Sequence, residues 1–497
     1  MNPCGIFIEK ASRIRKKFVL LQLEHSGQMK HKQITIENLE IIDAGAEGKA
    51  VAKHEGLTIF VSGAVPGDVI DALVVKKKKA YAEARCVRLI TPSPYRTEPI
   101  CEHFGLCGGC KWQMMNYDKQ LFYKQKQVDD NFRHLGHFDY PEILPILASE
   151  KQYGYRNKME YTFTHQRWLS IEDMQAQQEG KNIEIRGLGF HIPSKFDKVL
   201  DIQCCHLQPE PSNEIRLAIR DFAIQNDLSF HNLRNHEGLL RNLIIRTAST
   251  GELMVILVVT EYNEQSIRVL EFIKNKFPAI TSLQYVVNQK VNDSIADLEF
   301  HTYSGKEYMM EQMGDLNFKV GPASFYQTNS RQAYRLYNVV KEFAAVTKED
   351  VVYDLYTGTG TIANFVARDA RKVVGIEYVG MAIEDAKENS RINGIRNTEF
   401  FAGDMAKVLT ADFVREHGNP DIVITDPPRN GMHEDVVKQL LQMLPKRLVY
   451  VSCNPATQAR DLTLLSEQYK VEKIQPVDMF PHTQHVENVV LLLKKEN

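Results

Sequence analysis

The spacing of apolar and polar residues changes rhythm along the chain. Between 32 and 91, short alternating runs at 34–39, 48–52, 57–61, 69–75 and 81–89 are separated by turn residues such as Asp43-Ala44-Gly45 and Pro66-Gly67-Asp68. Alternation of this kind predicts strands with one buried face, and five of them in so short a span predict a small β-barrel of the oligonucleotide-binding type. From 92 to 320 the pattern is mixed. Apolar positions at helical spacing predict a helix over 117–135, hairpin-like strands are expected at 161–165, 187–191, 242–247 and 252–260, and the polar stretch 166–182 reads as a loop. From 321 to 497, apolar runs at 351–356, 372–377, 398–402, 422–426 and 447–452 alternate with helical patterns at 363–368, 382–393 and 434–444. That rhythm predicts a parallel sheet with helices on both faces, which takes ligands at the carboxyl ends of its strands. Residues 1–31 stand apart: a basic run at 13–17 precedes apolar residues 18–21, and Met29 offers a second start. They are expected to be a poorly ordered extension, or residues 1–28 a misassigned beginning.

Length and composition sharpen this division. A chain of 497 residues exceeds one hydrophobic core, so two to four domains are expected. Apolar residues make up 43% and charged residues 25%, as in ordinary globular proteins, and no apolar run reaches the roughly 18 residues of a membrane span. No secretory signal is recognisable, so a cytoplasmic location is expected. In a reducing compartment the eight cysteines read as metal ligands or catalytic groups rather than disulfides. The net charge of −2 says nothing of nucleic acid, but Lys76-Lys77-Lys78-Lys79 is a local basic run. It is either a phosphate-facing edge or a solvated one.

Candidate chemistry sits at the strand ends of the last segment. Asp354-Leu355-Tyr356-Thr357-Gly358-Thr359-Gly360-Thr361 closes one strand and opens a helix, with glycines that let the backbone turn and a ligand approach. The next strand ends on Glu377, placed to accept hydrogen bonds from ribose hydroxyls. These residues alone fit a nicotinamide cofactor and S-adenosylmethionine equally. Gly403-Asp404 after the third strand and Asp426-Pro427-Pro428-Arg429-Asn430-Gly431 after the fourth favour S-adenosylmethionine, because a rigid polar ledge of Asp426 and two prolines at the fourth strand end resembles that of methyltransferases and not of dehydrogenases.

Cys453, in the polar turn Ser452-Cys453-Asn454-Pro455 just beyond a strand, lies at the ligand end of the sheet rather than in its core. Glu487 opens the final apolar run 489–493, and His485 would share its face if that strand extends so far. A thiolate and a general base are what methylation at carbon 5 of uracil requires. The thiolate adds to carbon 6 and makes carbon 5 nucleophilic, and the base then removes the carbon 5 proton. Separately, Cys101, Cys107 and Cys110 are spaced C-x5-C-x2-C around Gly108-Gly109, with Cys204 and Cys205 as candidate fourth ligands in the same domain. Four thiolates suit either zinc or an iron–sulfur cluster, and spacing does not choose between them.

Three segments together resemble the signatures of the RNA uracil-C5 methyltransferases: Asp426 to Gly431, Val451-Ser452-Cys453-Asn454-Pro455, and Asp478-Met479-Phe480-Pro481-His482-Thr483-Gln484-His485-Val486-Glu487. Residues 321–329, containing Phe325 and Gln327, are similar as well, and the resemblance extends over about 32–497. It implies an α/β fold: a Rossmann-like class I methyltransferase domain at 321–497, an N-terminal TRAM/OB-like barrel at 32–91 and a mixed α+β central domain at 92–320. Gly48, the segment Val65-Pro66-Gly67-Asp68 and the lysine run resemble the TRAM domain of RNA-modifying enzymes. The resemblance implies Cys453 as nucleophile, Glu487 as proton acceptor, and cofactor contacts from Gln327, Tyr356, Thr361, Glu377, Asp404 and Asp426, with Phe325 near the target base. Thr357 and Thr361 depart from the cysteine and asparagine common in the family, which weakens the role of Thr361. One branch of the family carries a [4Fe-4S] cluster, implying Cys101, Cys107, Cys110 and Cys205 as ligands of a structural cluster, with Cys204 spare. The expected substrate is RNA, ribosomal in preference to transfer RNA, and the protein is expected to be a monomer. A Rossmann oxidoreductase using the cluster for electron transfer would not explain Cys453, Glu487 and the Asp-Pro-Pro ledge. A catalytically silent RNA-binding protein would not need the intact pair.

Overall fold

The computed structural model describes residues 34–496. The expectation for residues 1–31 lies outside the described residues. The first unit is a closed barrel in the order β1-β2-β3-β5-β4, formed by Thr35–Ala44, Ala50–His54, Leu57–Ser62, Val69–Lys77 and Tyr81–Thr91 as β1 to β5. Alternate residues such as Ile36, Ile41, Ile59, Val61 and Ile70 fill its interior, as the alternation requires. Buried Asp68 anchors the turn before β4. It accepts the Val65 and Ser93 N–H groups at 2.7 and 2.8 Å and pairs with Arg96 at 2.8 Å. The lysine run continues from the end of β4, and all four lysines are exposed.

Beyond the barrel, α1 (Tyr117–Leu135) precedes a seven-stranded sheet ordered β12-β11-β10-β9-β6-β7-β8. Its strands are Lys158–Thr164, Gly187–Ile192, Lys195–Asp201, Leu240–Thr247, Leu253–Val259, Ser282–Val287 and Phe300–Gly305 as β6 to β12. Between them run α2 (Ile171–Gln178), α3 (Ser212–Gln225) and α4 (Glu264–Lys276). The expected loop at 166–182 thus contains a helix. Ser170 and Asp173 form a capping box, and Arg167 holds Asp173 with two contacts of 2.7 and 3.0 Å. The helix buries none of its residues, so it left no apolar stripe for a pattern reading to find.

The hairpin β13–β14 (Met309–Met313, Leu316–Val320) leads into α5 (Ser330–Ala344) and the second seven-stranded sheet. Its strands are Val351–Leu355, Lys372–Glu377, Thr398–Ala402, Ile422–Thr425, Arg447–Ser452, Tyr469–Val477 and Glu487–Lys494 as β15 to β21, in the order β17-β16-β15-β18-β19-β21-β20. The helices are α6 (Thr361–Ala367), α7 (Gly380–Ile392), α8 (Met405–Val408), α9 (Ala411–His417), α10 (Glu434–Met443) and α11 (Pro455–Leu465). This is the class I methyltransferase arrangement. The sheet is not wholly parallel: β21 runs antiparallel to both β19 and β20. One core lies on each face. α1 belongs to the second of these, where its Val128 and Phe132 are fully buried against the methyltransferase helices and strands. Burying a side chain such as Phe132 contributes about 1.5–3 kcal/mol, enough to fasten α1 to a sheet far from it in sequence. Among the described residues, no helix is long and apolar enough to cross a membrane.

Candidate active site

The reversed strand is what builds the site. In the β19–β21 ladder, Arg447 faces Leu493 and the last pair is Ser452 with Asn488; Cys453 and Glu487 each adjoin that pair, near enough for Glu487 to act on the thiol. Two residues 34 positions apart in sequence are therefore neighbours at the carboxyl end of β19. The turn carrying Cys453 is held tightly. Asn454 caps α11 by accepting the Ala456 N–H at 3.2 Å, and Pro455 occupies the first turn, where its missing N–H is harmless. Asn454 Nδ2 and Thr457 Oγ1 also donate to the Arg429 carbonyl at 3.0 and 3.2 Å, tying this turn to the Asp-Pro-Pro loop. His485 lies ahead of β21, which begins at Glu487, so it does not share a strand face with the acid.

The electrostatics of the pair are those of a dry site lined by acids. Burial pushes the Cys453 thiol up to about 11, and Glu487 and Asp426 add to this while Arg429 opposes it. Glu487 is 7% exposed, and burial, followed by the field of Asp426, holds its carboxyl well above the usual range. Asp426 itself rises to about 7, through burial and then the charge of Asp354. Asp426 thus makes both Glu487 and Cys453 harder to ionise, and Glu487 adds to the effect on Cys453. Arg429 is the exposed cation set against them.

The cofactor-side residues converge on the same strand ends. Tyr356 leaves β15 with φ +63°, a left-handed conformation that a side-chain-bearing residue adopts only under constraint. Glu377 accepts the Gly358 N–H at 3.2 Å and the Val379 N–H at 3.0 Å. A Cβ on Gly358 would meet nothing within 4 Å, so the space beside the loop is open to a ligand. A Cβ on Gly360 would instead come within 2.8 Å of Ala386. Thr357 donates to Asp354, supplying a hydroxyl donor where cysteine was the commoner residue. Thr361, the first residue of α6, is buried with its hydroxyl 3.3 Å from that of Thr359 in the loop. Asp404 caps α8 through the Ala406 N–H at 3.1 Å and lies near enough to Tyr356 to act on its hydroxyl. The Gln327 side chain hydrogen-bonds buried Tyr337, which lies in the fields of Asp426, Asp354 and Glu487. Buried Asp354 Oδ1 and Thr425 Oγ1, at the ends of β15 and β18, have no hydrogen-bond partner among the described residues. Phe325, 71% exposed, stands out from the 321–329 segment.

Four of the other cysteines lie near one another. Cys101, Cys107, Cys110 and Cys205 act on one another electrostatically, and burial raises all four thiols, Cys101 and Cys110 to about 12. Cys204 is instead disulfide-bonded, against the expectation that none of the cysteines would be, and lies 3.8 Å from Asn213 Nδ2 and 3.9 Å from His206 Nδ1. Among the described residues, no group of three or more Cys, His, Asp or Glu is placed to hold a metal ion, so the structure does not itself support the expected ligand set of Cys101, Cys107, Cys110 and Cys205. The segment after Cys110 reaches the other site: the Lys111 and Trp112 N–H groups donate to the His482 carbonyl at 2.8 and 3.0 Å.

Several residues at or behind the site had not been singled out from sequence. Arg429 lay inside a recognised motif, so its signal was available. Tyr117, Gln120 and Lys124 of α1 had none, since Lys and Gln on a helix ordinarily mark its wet face.

Comparison with known proteins places this geometry. Residues 298–495 match the model of the tRNA (uracil-5-)-methyltransferase family. An uncharacterized RNA methyltransferase of Bacteroides thetaiotaomicron is 58% identical over 451 residues, covering 90% of this chain and 99% of that protein. Another, of Porphyromonas gingivalis, is 54% identical over 462 residues, 92% of this chain and 99% of its own. The crystal structure of Pyrococcus abyssi tRNA (uracil-54, C5)-methyltransferase in complex with S-adenosyl-L-homocysteine is 30% identical, with a TM-score of 0.70, covering 92% of this chain and all of that one. These relatives leave the oxidoreductase reading without support. The chain belongs to the tRNA (uracil-5-)-methyltransferase family and is an S-adenosylmethionine-dependent RNA methyltransferase.

Proposed function

We propose that this protein methylates carbon 5 of a uridine in RNA through a covalent adduct to Cys453, with Glu487 as the base that ends the reaction. The observation that supports this reading is the end of the β19–β21 ladder, where Cys453 follows Ser452 and buried Glu487 precedes Asn488, its carboxyl acting on the thiol. The Cys453 thiolate adds to carbon 6, and the displaced π electrons pass through carbon 5 to the carbonyl at carbon 4. S-adenosylmethionine, when bound, supplies an electrophilic methyl group to carbon 5. The Glu487 carboxylate then takes the carbon 5 proton, the C5–C6 double bond re-forms and the C6–S bond breaks, returning the thiolate. Burial suits Glu487 to the task, because a carboxylate denied solvent is a stronger base once ionised. Gln327, Tyr356, Glu377 and Asp426 are the cofactor contacts, with Thr361 shaping the loop and Asp404 at its rim. The unpartnered Asp354 and Thr425 oxygens and the open space at Gly358 favour a polar ligand there. Phe325 is placed to stack on the extruded base.

Cys101, Cys107, Cys110 and Cys205 are the ligands of a [4Fe-4S] cluster with a structural role. A single zinc needs its thiolates about 2.3 Å from one point, whereas a cluster bonds each to a different iron and accepts a wider set. The mutual proximity of Cys101, Cys107, Cys110 and Cys205 supports this reading. The hydrogen bonds from Lys111 and Trp112 to His482 fit a cluster that shapes the catalytic loop. Anaerobic preparations should be brown and contain iron and sulfide; a colourless, zinc-containing protein would refute this assignment.

Ribosomal RNA is the substrate to test first, with the protein acting as a monomer. The Pyrococcus abyssi protein is named for uracil-54 of transfer RNA, which makes transfer RNA the second reading. Incubation with labelled S-adenosylmethionine and each purified RNA, followed by nucleoside mass mapping, decides. Absence of 5-methyluridine from both would sink the proposal.

A further inference from the structure

The loop that delivers Glu487 is held from outside its own domain. Tyr117, Gln120 and Lys124 occupy positions i, i+3 and i+7 of α1, on one stripe of the helix. The Lys124 side chain is fully buried. Its ammonium donates to Asp478 Oδ1 at 2.5 Å and to the Phe480 carbonyl at 3.0 Å. The Tyr117 hydroxyl donates to the other Asp478 oxygen at 2.8 Å. Gln120 Oε1 accepts the His482 N–H at 2.8 Å, and its amide nitrogen lies 3.2 Å from His482 Nδ1. Residues 478, 480 and 482 are thus fixed in alternation by one helical face. His482 has φ +67°, a conformation that persists only where its surroundings hold it. Five residues later comes Glu487. A buried ion pair is a costly way to make a stable core, since apolar residues of similar size often do as well. A fixed geometry for the chain it grips is what such a pair does provide.

We propose that this stripe is a positioning device for Glu487, setting the carboxyl against the carbon 5 proton and so controlling elimination rather than RNA binding or thiolate addition. The inference rests on the catalytic reading above. Neither Tyr117, Gln120 nor Lys124 belongs to the residues assigned to the cofactor, the nucleophile or the base.

The test compares Lys124→Met and the milder Tyr117→Phe with Glu487→Gln, using the full chain and its methylatable RNA. Adduct formation is followed in a single turnover on a denaturing gel, alongside kcat and KM. Glu487→Gln should trap the adduct. Both α1 variants should form adduct at the parental rate and release it slowly, with kcat lowered about 10- to 100-fold and kcat/KM for RNA unchanged. If Glu487→Gln traps the adduct while Tyr117→Phe turns over as the parent does, the positioning role is wrong. It is also wrong if the α1 variants slow addition and elimination alike, which is what general loosening would produce. If Glu487→Gln traps nothing, the assignment of Glu487 fails and this inference falls with it.

Discussion

The two walls of the active site are built on different plans. The Cys453 wall is fastened locally: Asn454, Thr457 and the Arg429 carbonyl join two turns of one sheet. The Glu487 wall is fastened remotely, by α1 side chains that lie 354, 361 and 362 residues from their partners. The nucleophile needs only a rigid turn at a strand end, which short-range capping supplies. The base must meet a proton that becomes acidic only late in the reaction, and the loop before it has no regular structure of its own. Its backbone groups find partners in α1 and in the segment following Cys110.

The contrast can be broken in graded steps. Cys453→Ala should remove both adduct and turnover, by about 10^4-fold or more in methyl incorporation. Glu487→Gln should lower turnover by about 10^2- to 10^4-fold while the adduct accumulates; parental turnover would show that another group takes the proton. The α1 variants come next in size. Below about pH 11, adduct formation should speed up about tenfold per pH unit, because only the thiolate adds and burial keeps Cys453 protonated through neutrality. Arg429→Met, by removing a charge that lowers this thiol, should slow addition at fixed pH; a flat pH profile would mean that the thiol is already ionised. Asn454→Ala should do least, costing about 1 kcal/mol of stability through the lost cap and loosening the Cys453 turn, as a thermal melt would show. A melt unchanged by Asn454→Ala would weaken the claim that the nucleophile's wall is locally held.

Much of the site was legible because its information is local. Gly358 and Gly360, the acid Glu377, the Asp426 ledge and the Cys453 turn are each defined by a few adjacent residues at a strand end. Strand ends follow from alternating apolar runs. The resemblance to a known family joined these pieces before any geometry was available. What remained hidden depended on distance. The polar helix at 171–178 has no buried face to mark it. His485 would have shared a face with Glu487 had the last strand extended to it, and only the observed start of β21 decides that it does not.

The amino-acid sequence by itself determined the strand rhythm, the chemistry at each strand end and the family to which those signatures point, since each depends on residues that are neighbours in the chain. The tertiary structure alone decided that β21 runs backwards and so sets Glu487 against Cys453. It also decided that Lys124, by type a surface residue, is buried at the root of the catalytic loop. Both depend on which groups replace solvent around a buried charge or an unpaired strand edge, and that follows from packing between distant segments rather than from residue type or spacing.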